Sequence, residues 1–264
     1  MSDPGSSQSG LGLWFQRLSA AGLLAGQVFL HLLKSRIHRR NTLEQMNVVG
    51  PESLTISVVT AAFVGMVFTI QVAREFIFFG AGSYVGGVLS LALTRELAPV
   101  LTAVVVVGRV GSAFAAEIGT MRVTEQIDAL YMLKTDPIDY LVIPRVLACS
   151  VMLPILTVIS LVTGLFGGLL ISKSLYGISY PMFLQSVQNF LDVWDLISAV
   201  LKSIVFGILI AVIGCSWGLT TTGGAKGVGQ STTTAVVTSL LAIFVANFFM
   251  SWLLFQGTGN ARVG

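Results

Sequence analysis

Charge is scarce in this chain. Only 10% of its 264 residues are Asp, Glu, Lys or Arg, whereas soluble domains carry about a quarter. Cysteine is nearly missing. Cys149 and Cys215 are the two there are, and both fall inside apolar runs, where they read as small core residues rather than a disulfide or metal site. His31 and His38 are the two histidines. Neither has partner ligands at metal spacing, so both read as interfacial side chains. The strict apolar–polar alternation of a membrane β-barrel is absent. The net charge of +3 need not mean a nucleic-acid partner, because in a membrane protein the placement of Lys and Arg matters more than their sum.

What is present is apolar. Hydrophobic residues make up 54% of the chain, in several windows long enough to cross a hydrocarbon core of about 30 Å. The sequence therefore predicts an all-α integral membrane protein with one membrane domain. Residues 1–10 (MSDPGSSQSG) have the composition of a disordered tail. Residues 11–40 are apolar but interrupted by Arg17, Gln27 and His31, and end in Lys34, Arg36, Arg39 and Arg40. A signal peptide has its charge first, so an amphipathic interfacial helix fits better. From residue 41 to 264 the chain reads as the membrane domain. Pro51 opens a helix, and spans are expected over 53–73, 85–107, 144–171, 197–217 and 235–255. Gly164, Gly167 and Gly168 offer a small-residue face in the third. Residues 172–196 are amphipathic and rich in Tyr, Phe and Trp, like an interfacial aromatic belt.

Orientation follows from the cations. With the N-terminus inside, Arg17, Lys34, Arg36, Arg39, Arg40, Arg109, Arg122, Lys134, Arg145 and Lys226 are cytoplasmic, while Arg74, Lys173 and Arg262 are outside. The positive-inside rule then places the N-terminus in the cytoplasm and the C-terminus across the membrane.

Three stretches invite functional readings. Gly224-Ala225-Lys226-Gly227-Val228-Gly229-Gln230-Ser231 imitates a phosphate-binding loop, but Gln230 stands where the lysine is required and no strand precedes it. A flexible turn is expected there, with no nucleotide on this chain. Residues 115–139 carry Ile118, Met121, Ile127, Leu130 and Tyr131 at helical intervals, with Glu117, Arg122, Glu125 and Asp128 between them. They read as one helix lying along the membrane face, closed by Asp136-Pro137, with its acids turned to a partner. Finally, Arg95 and Glu96 lie mid-span, and Lys202 lies inside the fourth span. Intramembrane charges are costly and mark functional sites. Pro99 removes the amide that would bond the carbonyl of Arg95, so a kink and a free carbonyl are expected beside the charges. Taken alone, these residues suit a transporter cavity, a proton-linked secondary transporter or channel, or a membrane scaffold.

RELAPVLTAVVVVGRVGSAFAAEIGTMRVTEQIDAL, residues 95–130, resembles the signature of the MlaE (YrbE) permeases. These are membrane subunits of ABC transporters that move phospholipids between the membranes of diderm bacteria, and they are similar to the permease of the chloroplast TGD lipid-import system. The likeness runs from about Leu11 to Phe255. It implies an interfacial helix followed by five membrane helices and a coupling helix between the second and third. It implies a homodimer in the inner membrane, with a lipid cavity bordered by Arg95, Glu96, Pro99 and Lys202. A separate ABC ATPase would bind the ATP and dock on Glu117, Gly119, Met121, Arg122, Glu125 and Asp128. An MCE-domain substrate-binding protein would sit on the other face. No cofactor or metal is expected on this chain, which would do no covalent chemistry. Some relatives carry an acid late in the last span, where Asn247 is the nearest polar residue here.

Overall fold

The computed structural model describes residues 39–256, together with 19, 21–24 and 26–28. The tail 1–10 and most of the expected interfacial helix 11–40 lie outside the described residues. Those upstream residues that are described are helical, and Ala21, Leu24 and Val28 sink into the core of the bundle. Their three- and four-residue spacing puts them on one helix face.

Helix α1 (Arg39–Val49) lies ahead of Pro51, which opens α2 (Pro51–Phe78). The second long helix, Gly82–Val123, is a chain of segments. Regular α3 (Val85–Ala92), α4 (Ala98–Val106) and α5 (Ser112–Val123) alternate with π turns at Leu93–Leu97 and Val107–Gly111. Short α6 (Gln126–Met132) follows, then α7 (Ile143–Tyr176), α8 (Tyr180–Phe190), α9 (Val193–Leu219) and α10 (Gly224–Phe255). Five helices, α2, the α3–α5 rod, α7, α9 and α10, are long and apolar enough to span a membrane. No strand occurs among the described residues.

Small residues set the closest crossings. Gly164 faces the carbonyl of Ala61, and Gly167 that of Ala62, so α7 lies directly on the backbone of α2. A Cβ on Gly207 would sit 2.5 Å from the carbonyl of Cys149, which brings α9 equally close to α7. Lipid tails are as apolar as the side chains, so backbone proximity rather than water exclusion holds such helices together. The central rod packs between α7 and α9 through Val106, Val110, Phe114, Ile210 and Phe206.

Two expected segments come out differently. Residues 115–139 do not form one helix. The chain breaks at Thr124–Glu125, where Glu125 takes φ 60°, and α6 starts afresh. Burial drives the break: Ile118 and Ile127 both enter the core, and nine residues of straight helix would put them on opposite faces. The glycine-rich stretch after α9 is not a flexible turn either. Only Thr220–Gly223 is non-helical, and Gly224 onward already belongs to α10. Gly223 and Gly224 supply the positive φ that the tight link needs.

Candidate functional site

Arg95, Glu96 and Lys202 converge at one place, on the end of the bundle away from α6. Pro99 has no amide, and Ala98 instead donates to the carbonyl of Leu93, five residues back. The helix widens into a π turn there, a feature common at functional sites. The carbonyl of Arg95 is thereby freed, as the proline predicts. It is not left open, because Lys202 Nζ of α9 donates to it at 2.6 Å.

Lys202 has no exposed side-chain surface. Besides that carbonyl it donates to Glu96 Oε1 at 3.0 Å and to Ser251 Oγ at 2.7 Å. An ammonium has three N–H groups, so every donor is spent. Glu96 is held from three sides, since Ser251 Oγ also donates to Oε1 and Asn247 Nδ2 donates to Oε2, each at 2.7 Å. Lys202 is thus an internal strut joining three helices rather than an outward-reaching cation.

Arg95 turns the other way. Its Nε donates to Asp195 Oδ1 at 2.8 Å, and its guanidinium stacks 4.6 Å from the centre of the Phe255 ring. Asp195 is 1% exposed and Arg95 is 37% exposed. Adjacent residues on a helix diverge by roughly 100°, which is why Arg95 and Glu96 take different partners. A guanidinium has five N–H donors, and the one at Nε of Arg95 is given to Asp195.

Asp195 and Ser251 are the members of this cluster that the sequence reading missed. Asp195 precedes Lys202 by seven residues, about two helical turns, and so shares its face. Its place in the aromatic-belt stretch hid that register. It also closes a capping box with Asp192 at the start of α9. Ser251 and Asn247 are four apart on α10 and point the same way.

The second group of expected residues does not form one outward-facing set. Glu117 pairs with the buried Arg145 at 2.9 Å. Arg122 pairs with Asp128 at 2.7 Å. Gly119 faces Thr221 of the α9–α10 link, and Met121 packs on the core. Glu125 stands exposed at the break. Beyond it, Tyr131, Met132 and Leu133 form an exposed apolar tip, which a helix drawn flat on the membrane would have hidden. Arg109, centred in the second π turn, bonds the carbonyl of Val48, Ser53 and Glu52, tying the rod to the start of α2.

Comparison with known sequences adds a family match and three relatives. Residues 42–253 match the family model described as Permease MlaE. The chain is 73% identical over its full length to a probable ABC transporter permease protein of Synechocystis, covering all of it. It is 54% identical to the chloroplast protein TRIGALACTOSYLDIACYLGLYCEROL 1 of Arabidopsis thaliana over 90% of this chain and 68% of that one. A probable ABC transporter permease protein of Rickettsia typhi is 41% identical over 85% of this chain and 87% of its own length.

Proposed function

The chain belongs to the MlaE permease family, and from that premise we propose that it is the membrane subunit through which an ATP-driven transporter moves phospholipid between two membranes. The observation that carries this reading is the half-open charge cluster inside otherwise apolar spans. Arg95 offers N–H groups to a phosphate at its open edge. Lys202 and Glu96 hold the π turn that aims it. Leu, Val and Phe surfaces beside the cluster suit acyl chains. Cations and anions balance in the cluster, with Arg95 and Lys202 against Glu96 and Asp195. A balanced site attracts a phosphate through one guanidinium without trapping it, which suits a carrier.

The remaining assignments rest on this. ATP is hydrolysed on a separate ABC ATPase that docks around Glu125 and the Tyr131–Leu133 tip. Residues 41–264 form the permease domain, with the N-terminus in the cytoplasm of an inner membrane. The exposed face of α10, with Leu241, Phe248 and Trp252, seats a second copy and so closes a cavity over Arg95. An MCE-domain protein receives lipid on the far side.

The test is reconstitution with the ATPase. Wild type is expected to transfer labelled phospholipid in an ATP-dependent manner, and Arg95→Gln to lose most lipid crosslinking while retaining expression and ATPase recovery. Flux that follows an ion gradient and ignores ATP would favour the secondary-transporter reading. Unchanged crosslinking in Arg95→Gln would remove Arg95 from the lipid site.

A further inference from the structure

Phe255 joins the charge cluster without a polar atom in its side chain. It is the last residue of α10. Its ring lies 4.6 Å from the Arg95 guanidinium and 5.7 Å from Lys202 Nζ. Both distances fall inside the roughly 6 Å over which a ring face attracts a cation. One ring is therefore shared by a cation of the central rod and a cation of α9. The two cations differ in access. Lys202 has spent its three donors and has no exposed side-chain surface. Arg95 is 37% exposed, and its bond to Asp195 uses Nε, one of five N–H donors. An anion that reaches this cluster meets Arg95 first.

Helix α10 is held differently at its two ends. Its buried residues run from Gly227 to Ile243. Beyond Ile243, Ala246 and Met250 still touch the core, but Asn247, Ser251 and Phe255 face charges. Their four-residue spacing puts these three on one stripe of the helix. Asn247 and Ser251 donate to Glu96, Ser251 accepts from Lys202, and Phe255 covers Arg95. Trp194 Nε1 adds a 3.3 Å bond to the carbonyl of Leu254. Trp252 and Leu253, on the other side of the same turn, are exposed. The outer end of α10 thus meets the rod across charged side chains, where its inner end is buried.

We propose that Phe255 is the latch of this outer end: its ring holds the Arg95 guanidinium, and a phosphate received by Arg95 loosens that hold and frees the end of α10. This rests on the reading of Arg95 as the group that receives the lipid phosphate. A ring face attracts net positive charge. An anion on the guanidinium offsets that charge and weakens the attraction. The coupling is reciprocal, so a weaker ring must leave Arg95 binding the anion more tightly. The sign separates a latch from a ring that merely orients Arg95, because weakening an orienting ring would weaken binding.

The test uses the full-length permease in dodecyl maltoside, with Phe255 replaced by 4-fluorophenylalanine or 3,4,5-trifluorophenylalanine. Fluorine drains negative charge from the ring face and hardly changes its size. The probes are dihexanoyl phosphatidylglycerol and dihexanoylglycerol, which share their chains and differ in the phosphate headgroup. The trifluoro ring is expected to bind phosphatidylglycerol about threefold more tightly than phenylalanine does, the factor an exposed cation–π contact carries. On adding phosphatidylglycerol, the fluorine NMR signal of the 4-fluoro ring should move toward its position in Arg95→Gln. Dihexanoylglycerol should leave it in place. Equal or weaker binding with the trifluoro ring, or a signal that ignores phosphatidylglycerol, would overturn the latch, and loss of binding in Arg95→Gln would then leave the lipid site standing. Binding unchanged in Arg95→Gln would remove the lipid site and the latch together. A signal moved equally by dihexanoylglycerol would make the chains the trigger and would also overturn the proposal.

Discussion

Lys202→Met isolates the strut from the site it supports. Methionine refills the aliphatic stem but withdraws three donors at once, from the carbonyl of Arg95, from Glu96 and from Ser251. Breaking a buried ion pair costs about 3–5 kcal/mol when the remaining charge is stranded. Here Glu96 keeps its bonds from Ser251 and Asn247 and is 45% exposed, so solvent and neighbours relieve much of that cost. The unrelieved part is the Arg95 carbonyl, worth about 1–3 kcal/mol as an orphaned acceptor. A net loss of about 2–4 kcal/mol is expected, or roughly 10 °C in Tm for a chain of this size. Glu96→Gln should cost more, because it leaves a fully enclosed ammonium without a counter-charge. The double variant should fall short of the sum of the singles by about 2 kcal/mol, as contacting residues do. Cys149 and Cys215 are both buried and free, so a thiol-reactive dye reports unfolding directly in the detergent-solubilised protein. A Lys202→Met melt within about 2 °C of wild type, or strict additivity in the double variant, would refute the strut and return Lys202 to an independent role.

Other outcomes follow from single contacts. Gly65→Ala drives a Cβ into the backbone of Gly164 and should destabilise by about 3 kcal/mol or more. Gly229→Ala in open helix should be neutral or stabilise by about 0.5 kcal/mol, and the two melts together check the α2–α7 crossing. Glu125→Gly relieves a left-handed residue and should gain about 1 kcal/mol, whereas Glu125→Arg should weaken co-purification of the ATPase at unchanged Tm. Equal ATPase recovery in wild type and Glu125→Arg would remove Glu125 from the docking surface. With the native cysteines replaced, a cysteine at Lys226 should resist an impermeant label in spheroplasts and one at Ser83 should react. The reverse pattern would invert the proposed orientation.

Periodicity and composition alone determined that this chain is helical, has five spans and carries its charges in the second and fourth. Apolar length dictates spanning because an unpaired backbone is intolerable in hydrocarbon. Pro99 even announced a freed carbonyl, because the loss of an amide is a local, covalent fact. What occupied that carbonyl was a tertiary matter. Sequence distance separates Arg95 from Asp195, and Glu96 from Ser251, by a hundred residues or more, and nothing local pairs them. The placement of Arg145 beside Glu117, and the break at Glu125, were likewise decided by which residues the core could bury. A charged residue shows in the sequence by its cost. Its partner is chosen only when the helices pack, because close crossings such as Gly164 on Ala61 fix the depth and rotation at which side chains on different helices meet.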